Sequence, residues 1–588
     1  MEDCLLSELK KLKESSKEAV ENTDSFNSFK QYMHITRKVE KELSTLINKV
    51  KESDENHLIL VCGSVGDGKS HLLSYLKSKI DYLSDYFYIH NDATESNAPN
   101  KTSMDTLSEV LSDYTDEELR RKNPNKSILL AINLGTLNNF LKSKYADKYS
   151  CLHNYVSDKN ILKPKIEGNS FERDSYFQFV NLSDYQLFSL TSNGPISHFM
   201  EGSLDKLTNE SIQNPFYQSY INNCKSGCTA AKTCPIKYNY ELLMQDKVKQ
   251  TIIKYIAELI LKYKTIISSR AFFNFLYNII VDSDIDQIAD KDNLEKYLEK
   301  ISSGQYLSAL LPNLFFSFGK HSDRFKNISL IDPVTKRSET LDTLTITFFN
   351  TTDIYKIFSQ YIEKRVINNE PFVLAINNIS KEEREIALNT LIRFYTFTPK
   401  ESTNSLEIND LIYNKYLSNL FYWNNGNIKN LKQLYTEVID SIYEWNGKSE
   451  TGTRMININP GRNQLKYTIS QSVNIKQFVK NLDKSNQEIL DKFLPYMILK
   501  FIISGNENAV LSIRIDFPLY QLLMRINEGY RPNKQDKNNY VNFVYLINNI
   551  LEYSNQKEVL TITEKSGNNS KSFTILFDED FGYEFKEK

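Results

Sequence analysis

Eight consecutive residues, Gly63-Ser64-Val65-Gly66-Asp67-Gly68-Lys69-Ser70, have the types and spacing required to hold a row of phosphates. Glycines let backbone N–H groups turn inward, where a side chain would block them. A helix that opens at Lys69 adds the positive end of its dipole. In a loop of the form G-x-x-x-x-G-K-[ST], the lysine reaches the β- and γ-phosphates and the final hydroxyl ligates Mg²⁺. The nucleotide site is therefore assigned to Gly63, Ser64, Val65, Gly66, Asp67, Gly68, Lys69, Ser70 and His71, with Lys69 catalytic and Ser70 the Mg²⁺ ligand. Glycine is scarce, at 18 of 588 residues, so a chance match is rare. ATP is favoured over GTP. A guanine-reading N-K-x-D string follows a core strand, whereas Asn533-Lys534-Gln535-Asp536 follows Arg531-Pro532 in a polar stretch with no strand before it.

Hydrolysis needs an acid near Mg²⁺, a group that orients water, and often an arginine on the γ-phosphate. Two strand ends compete for the first roles. After the apolar run YFYIH, Asp92 could hold a metal-bound water and Glu95 could polarise the nucleophile. Asn133 ends the run SILLAI, and a polar residue there resembles the sensor asparagine of additional-strand ATPases. Arg270, at the start of an apolar helix, is a candidate lid arginine, and Arg337 a candidate for action across a subunit interface.

A second constellation is independent of the first. Cys224, Cys228 and Cys234 place half of the six cysteines within eleven residues, beside Gly227 and Pro235. Three thiolates at this spacing can converge on one ion, with structural Zn²⁺ the favoured occupant over an iron–sulfur cluster or unligated thiols. The fourth ligand would come from Cys151 or His153.

These residues need a frame. His57–Cys62 is a short apolar run of the length of a buried parallel strand, and helical periodicity resumes after the loop at Leu72, Leu73, Leu76 and Ile80. Tyr86–His90, Ser127–Asn133 and Tyr176–Asn181 read as further strands of the same sheet. The expected fold is an α/β P-loop NTPase core, a parallel sheet flanked by helices, with large α-helical regions and a small C-terminal α+β unit. Ligands of such sheets bind at the carboxyl ends of the strands, so the loop, Asp92 and Asn133 belong on one edge. The chain divides into an N-terminal helical segment (1–55), the ATPase core (56–205), a cysteine-cluster loop with a helical lid-like region (206–325), a mostly helical domain (326–505) and a C-terminal α+β unit ending in a hairpin (506–588). Within these, Tyr240–Lys264 and Ser269–Val281 read as helices, 325–350 carries turn and strand signals, and 352–505 reads as mainly helical.

Composition is that of a folded protein, with 40% hydrophobic and 25% charged residues. Lys and Arg number 72 against 74 Asp and Glu, a formal net charge of −2. A chain that grips DNA along its length is basic, so DNA would be reached through a local patch or a partner. No run approaches the roughly 18 apolar residues of a membrane span, and the polar N-terminus lacks a signal-peptide core. With few cysteines, the expectation is a cytoplasmic protein without membrane contact.

The block VCGSVGDGKSHLL (61–73), the hexapeptide NDATES (91–96) and the tail IDFPLYQLL…GYRPN (515–533) resemble one family, DptF, the P-loop ATPase component of bacterial DNA phosphorothioation-dependent restriction. The resemblance runs from the loop to near the C-terminus. It implies an ATP-driven subunit that acts beside DptG- and DptH-like partners on DNA lacking the phosphorothioate mark. It carries over the loop residues, and neither a nuclease nor a mark-reading role.

Overall fold

The computed structural model describes residues 4–21, 28–91, 100–121, 124–163, 170–226, 228–288, 291–401, 405–449, 454–458, 464, 466–479, 487–504, 506–554, 559–564, 571–578 and 580–587. Two compact units divide the chain: 1–189, 195–409 and 491–493 form one, and 190–194, 410–490 and 494–588 form the other.

The first unit is built on a four-stranded parallel sheet. Its strands are β1 (Leu58–Gly63), β2 (Phe87–His90), β3 (Ser127–Asn133) and β4 (Phe177–Asn181), in the order β2-β3-β1-β4. β1 is buried at every residue because it is hydrogen-bonded on both sides and covered on both faces. Alternation along the strands sorts their side chains between two cores. Leu58, Leu60 and Cys62 join Ile128, Leu130, Ile132, Phe177 and Phe179 on one face, under Leu107, Leu137 and Leu152. Ile59 and Val61 join Leu129, Ala131 and Val180 on the other, under Leu43, Ile47, Leu72 and Leu76. The helix Lys38–Lys51 thus packs directly on the sheet, opposite the layer that contains Ser150–Asp158. The result is an α/β sandwich of three layers.

Beyond the sheet the first unit is helical, and two expectations need correction. Residues 325–350 hold no strand: a 3₁₀ segment Asp323–Ile331 leads to the helix Glu339–Asn350, which Ser338 caps by accepting from the Leu341 N–H. The long helix read over 240–264 is two, Pro235–Leu243 and Asp246–Tyr263.

In the second unit the helical reading fails after Glu444. Met455–Asn457, Tyr467–Ser472, Ile475–Gln477 and Met497–Ile503 are strands. Tyr467–Ser472 pairs with Val559–Glu564, so the expected C-terminal hairpin belongs to a five-stranded antiparallel sheet. Asn506–Ile515, Met497–Ile503 and Ile475–Gln477 make a second sheet. Among the described residues no helix is long and apolar enough to cross a membrane.

Because Leu60 sits at the centre of the sheet with no exposure, Leu60→Ala leaves a cavity the strands cannot close. A loss of ~2–5 kcal/mol is expected in the unfolding transition that reports the first unit, read by chemical denaturation. A loss below about 1 kcal/mol would show that β1 is not the packed centre.

Candidate functional site

β1 stands where the sheet order reverses, with β3 on one side and β4 on the other. Parallel register sets Gly63 beside Asn133 and Cys62 beside Asn181, so three strand ends share one edge of the sheet. From Gly63 the chain turns through Ser64–Gly68 into the helix Lys69–Lys79. Gly66 and Gly68 have φ of 87° and 91°, in the left-handed region that favours glycine. There is also no room for a side chain. A Cβ on Gly66 would stand 2.9 Å from Ser268 Cβ, and one on Gly68 would stand 3.0 Å from Arg37 Nη2.

The loop braces itself. Asp67 Oδ2 accepts from the Ser64 N–H (2.6 Å) and from the Ser183 hydroxyl (2.9 Å) beyond the end of β4. Lys69 Nζ donates to the carbonyls of Ser64 (2.7 Å) and Gly63 (3.2 Å), and to Asn133 Oδ1 (2.7 Å). Asn133 starts the helix Leu134–Phe140 but does not cap it with its side chain, which turns to the lysine instead. Asn133, expected on the same sheet edge as the loop, is thus in contact with Lys69. Asn181 and the buried Asp184, hydrogen-bonded to each other at 3.0 Å, flank the same edge beyond β4.

Residues from ahead of β1 complete the site, and sequence reasoning missed them. Arg37, in the stretch between two helices, donates from Nη2 to the Asp67 carbonyl at 3.1 Å and lies over the Phe199 ring. Burial lowers its pKa, Asp67 and Glu40 oppose that, and the guanidinium stays charged. His34 stacks on Tyr75, with centroids 3.5 Å apart and planes within 10°. Its Nδ1 meets His71 Nε2 at 3.1 Å, and its Nε2 stands 3.0 Å from Glu40 Oε2. Surrounding protein, then the neighbouring His34, Arg37 and Lys30, push the His71 pKa down to about 4, although part of the ring meets solvent. No motif marks Arg37 or His34. The one available signal was a pair of basic residues in a short break between helical patterns.

The other candidates separate. Asp92 and Glu95 lie outside the described residues, which reach Asn91, whose Oδ1 is buried with no partner among the described residues. Arg270 follows by two residues the Ser268 that abuts Gly66, which brings the start of the helix Ser269–Ile280 to the loop. Arg337 is exposed, ahead of the Ser338 cap. Asn533 and Asp536 form a reciprocal capping box on the helix Lys534–Asn539.

Cys224, Cys228 and Cys234 do gather around one cavity, but the fourth cysteine there is Cys4. Cys151 instead has its N–H on Asp116 Oδ1 (2.9 Å), and His153 lines a separate pocket with Asn138 and Lys142. Among the described residues no group of three or more His, Cys, Asp or Glu is arranged to hold a metal ion. Comparison of the chain with family models, curated proteins and solved structures finds no match in any of the three.

With a pKa near 4 against an ordinary 6.5, folded His71 resists a proton that the unfolded chain accepts. Acidification through that window therefore removes stability at this site, and at neutral pH the ring is uncharged. NMR titration of ring-labelled histidines is expected to place the His71 midpoint near 4, and Arg37→Ala is expected to raise it. A wild-type midpoint near 6.5 would mean that His71 is neither enclosed nor crowded by cations in this way.

Proposed function

We propose that the chain is a cytoplasmic ATPase that binds ATP·Mg²⁺ on Gly63–Ser70 and His71 and serves a bacterial restriction complex acting on DNA without phosphorothioate modification. One observation carries the nucleotide reading. A glycine loop with two left-handed residues leaves the central parallel strand at the sheet's reversal point and feeds a helix whose first residue, Lys69, is held by Asn133. Such a loop presents backbone N–H groups and a helix N-terminus to an anion.

In this reading Lys69 leaves the loop carbonyls for the β- and γ-phosphates, and Asn133, already beside it, positions the attacking water or senses the γ-phosphate. Ser70 would hold Mg²⁺, which supplies neutralisation of charge on the phosphate oxygens. Asp92 would serve as the acid. β3 separates β1 from β2, so Asn133 lies on a strand inserted between the loop strand and the one that leads to Asp92, as the additional-strand reading requires. Arg270 is placed to close over the loop from Ser268. The capping role of Asn533 and Asp536 supports ATP over GTP. The restriction role rests on the resemblance to DptF, with DptG- and DptH-like subunits as partners. A net charge of −2 supports DNA contact through that complex.

The test is steady-state hydrolysis and ATP binding by wild type, Lys69→Ala, Asp92→Ala and Asn133→Ala, with and without DNA. Lys69→Ala is expected to cut turnover by about 10²–10³-fold. Asp92→Ala should abolish turnover while sparing binding, and Asn133→Ala should lower kcat more than affinity. Tight ATP binding without hydrolysis, even with partners and DNA, would replace the motor with a nucleotide-gated assembly switch. Absence of Lys69-dependent binding would end the nucleotide reading.

A further inference from the structure

Four of the six cysteines converge from two distant parts of the chain. Cys4 immediately precedes the helix Leu5–Glu21, whereas Cys224, Cys228 and Cys234 lie more than 200 residues later. All four line a single small cavity, closed by aliphatic side chains that include Ile236 and Leu298. None is in a disulfide. A lone buried cysteine is ordinary packing, whereas four thiols from two distant parts of the chain around one cavity form a set of soft metal ligands.

The backbone around the thiols is shaped for them. Cys224 falls in a π-helical turn, Tyr220–Lys225, a rare form that recurs at functional positions. Cys234 is the residue before Pro235 and stands at the N-cap of the helix Pro235–Leu243. Metal binding would take the thiols as thiolates and release their protons to solvent.

We infer that Cys4, Cys224, Cys228 and Cys234 together ligate a thiophilic metal centre that ties the N-terminal helix to the helical region of the first unit. The fourth ligand is thus Cys4, and not Cys151 or His153. A tetrahedral zinc draws four sulfurs to ~2.3 Å from one point. An iron–sulfur cluster is also held by four cysteines, so the shared chemistry is tetrathiolate ligation, here by thiols that line one cavity. The inference is independent of the nucleotide reading, since no residue is shared.

The test uses the full chain purified without chelator under anaerobic conditions. Metal analysis, acid-labile sulfide and the visible spectrum separate the two occupants. About four iron and four sulfide ions per chain with broad absorption, or a single zinc without it, would each support a tetrathiolate centre. Cys4→Ser is expected to lose at least half of the metal, and Cys151→Ser to keep it. Wild type without stoichiometric metal after reconstitution with either iron and sulfide or zinc would overturn the site. Full metal retention in Cys4→Ser would overturn the assignment of the fourth ligand.

Discussion

The first unit depends on the burial of one strand. β1 exposes nothing to water, so each of its polar backbone groups must pair with a neighbouring strand, and the register of β3 and β4 follows. That register decides which residues meet at the sheet's edge. A slip of one residue in β3 would send Asn133 to the other face and separate it from Lys69. The hydrogen bond at the mouth of the loop is thus a consequence of packing several residues behind it. Alternation of Leu58, Leu60 and Cys62 with Ile59 and Val61 keeps both cores filled.

A second dependence runs from the segment ahead of β1. Arg37 holds the Asp67 carbonyl, while Asp67 uses its carboxylate to hold Ser64. The loop is therefore clamped from outside by a cation and from inside by an anion. His34 bridges the same segment to the loop helix, through His71 and Tyr75. This network keeps a positive charge next to Gly68 without placing one on His71. Such an arrangement raises the local potential for an anion through Arg37, with His71 uncharged at neutral pH.

Much of this was legible and some was not, for physical reasons. Strands β1, β3 and β4 could be read because a strand buried on both faces is a continuous apolar run, and Asn133 stood out as the polar end of one. Arg37 and His34 could not, since their role is created by tertiary packing of a short connecting segment. The residues TLTITFF looked extended because they are β-branched and aromatic, yet Leu341, Leu344 and Phe348 share a buried helical stripe and Ser338 supplies the cap. In the second unit Tyr467–Ser472 finds its partner nearly a hundred residues later, at Val559–Glu564, and no local pattern announces such a pairing. Cys4 was passed over for the same reason: the nearest cysteine in sequence to a cluster need not be the nearest in space.

Two short strings in this chain match nucleotide-binding patterns, and their surroundings use them differently. Asn533-Lys534-Gln535-Asp536 is consumed locally. Asn533 accepts from the Asp536 N–H at 2.9 Å, Asp536 accepts from the Asn533 N–H at 3.0 Å, and the pair starts a helix of six residues. Nothing in that exchange is left for a base. At Gly63–Ser70 the local needs are met differently. The left-handed glycines make the turn, the helix begins without a side-chain cap, and Asn133 leaves its own helix uncapped to reach Lys69. The cap that Asn133 forgoes is worth about 1 kcal/mol, and a hydrogen bond to the charged Lys69, worth about 1.5–3 kcal/mol, offsets it. One string spends its side chains within its own helix, and the other is tied to a neighbouring strand end.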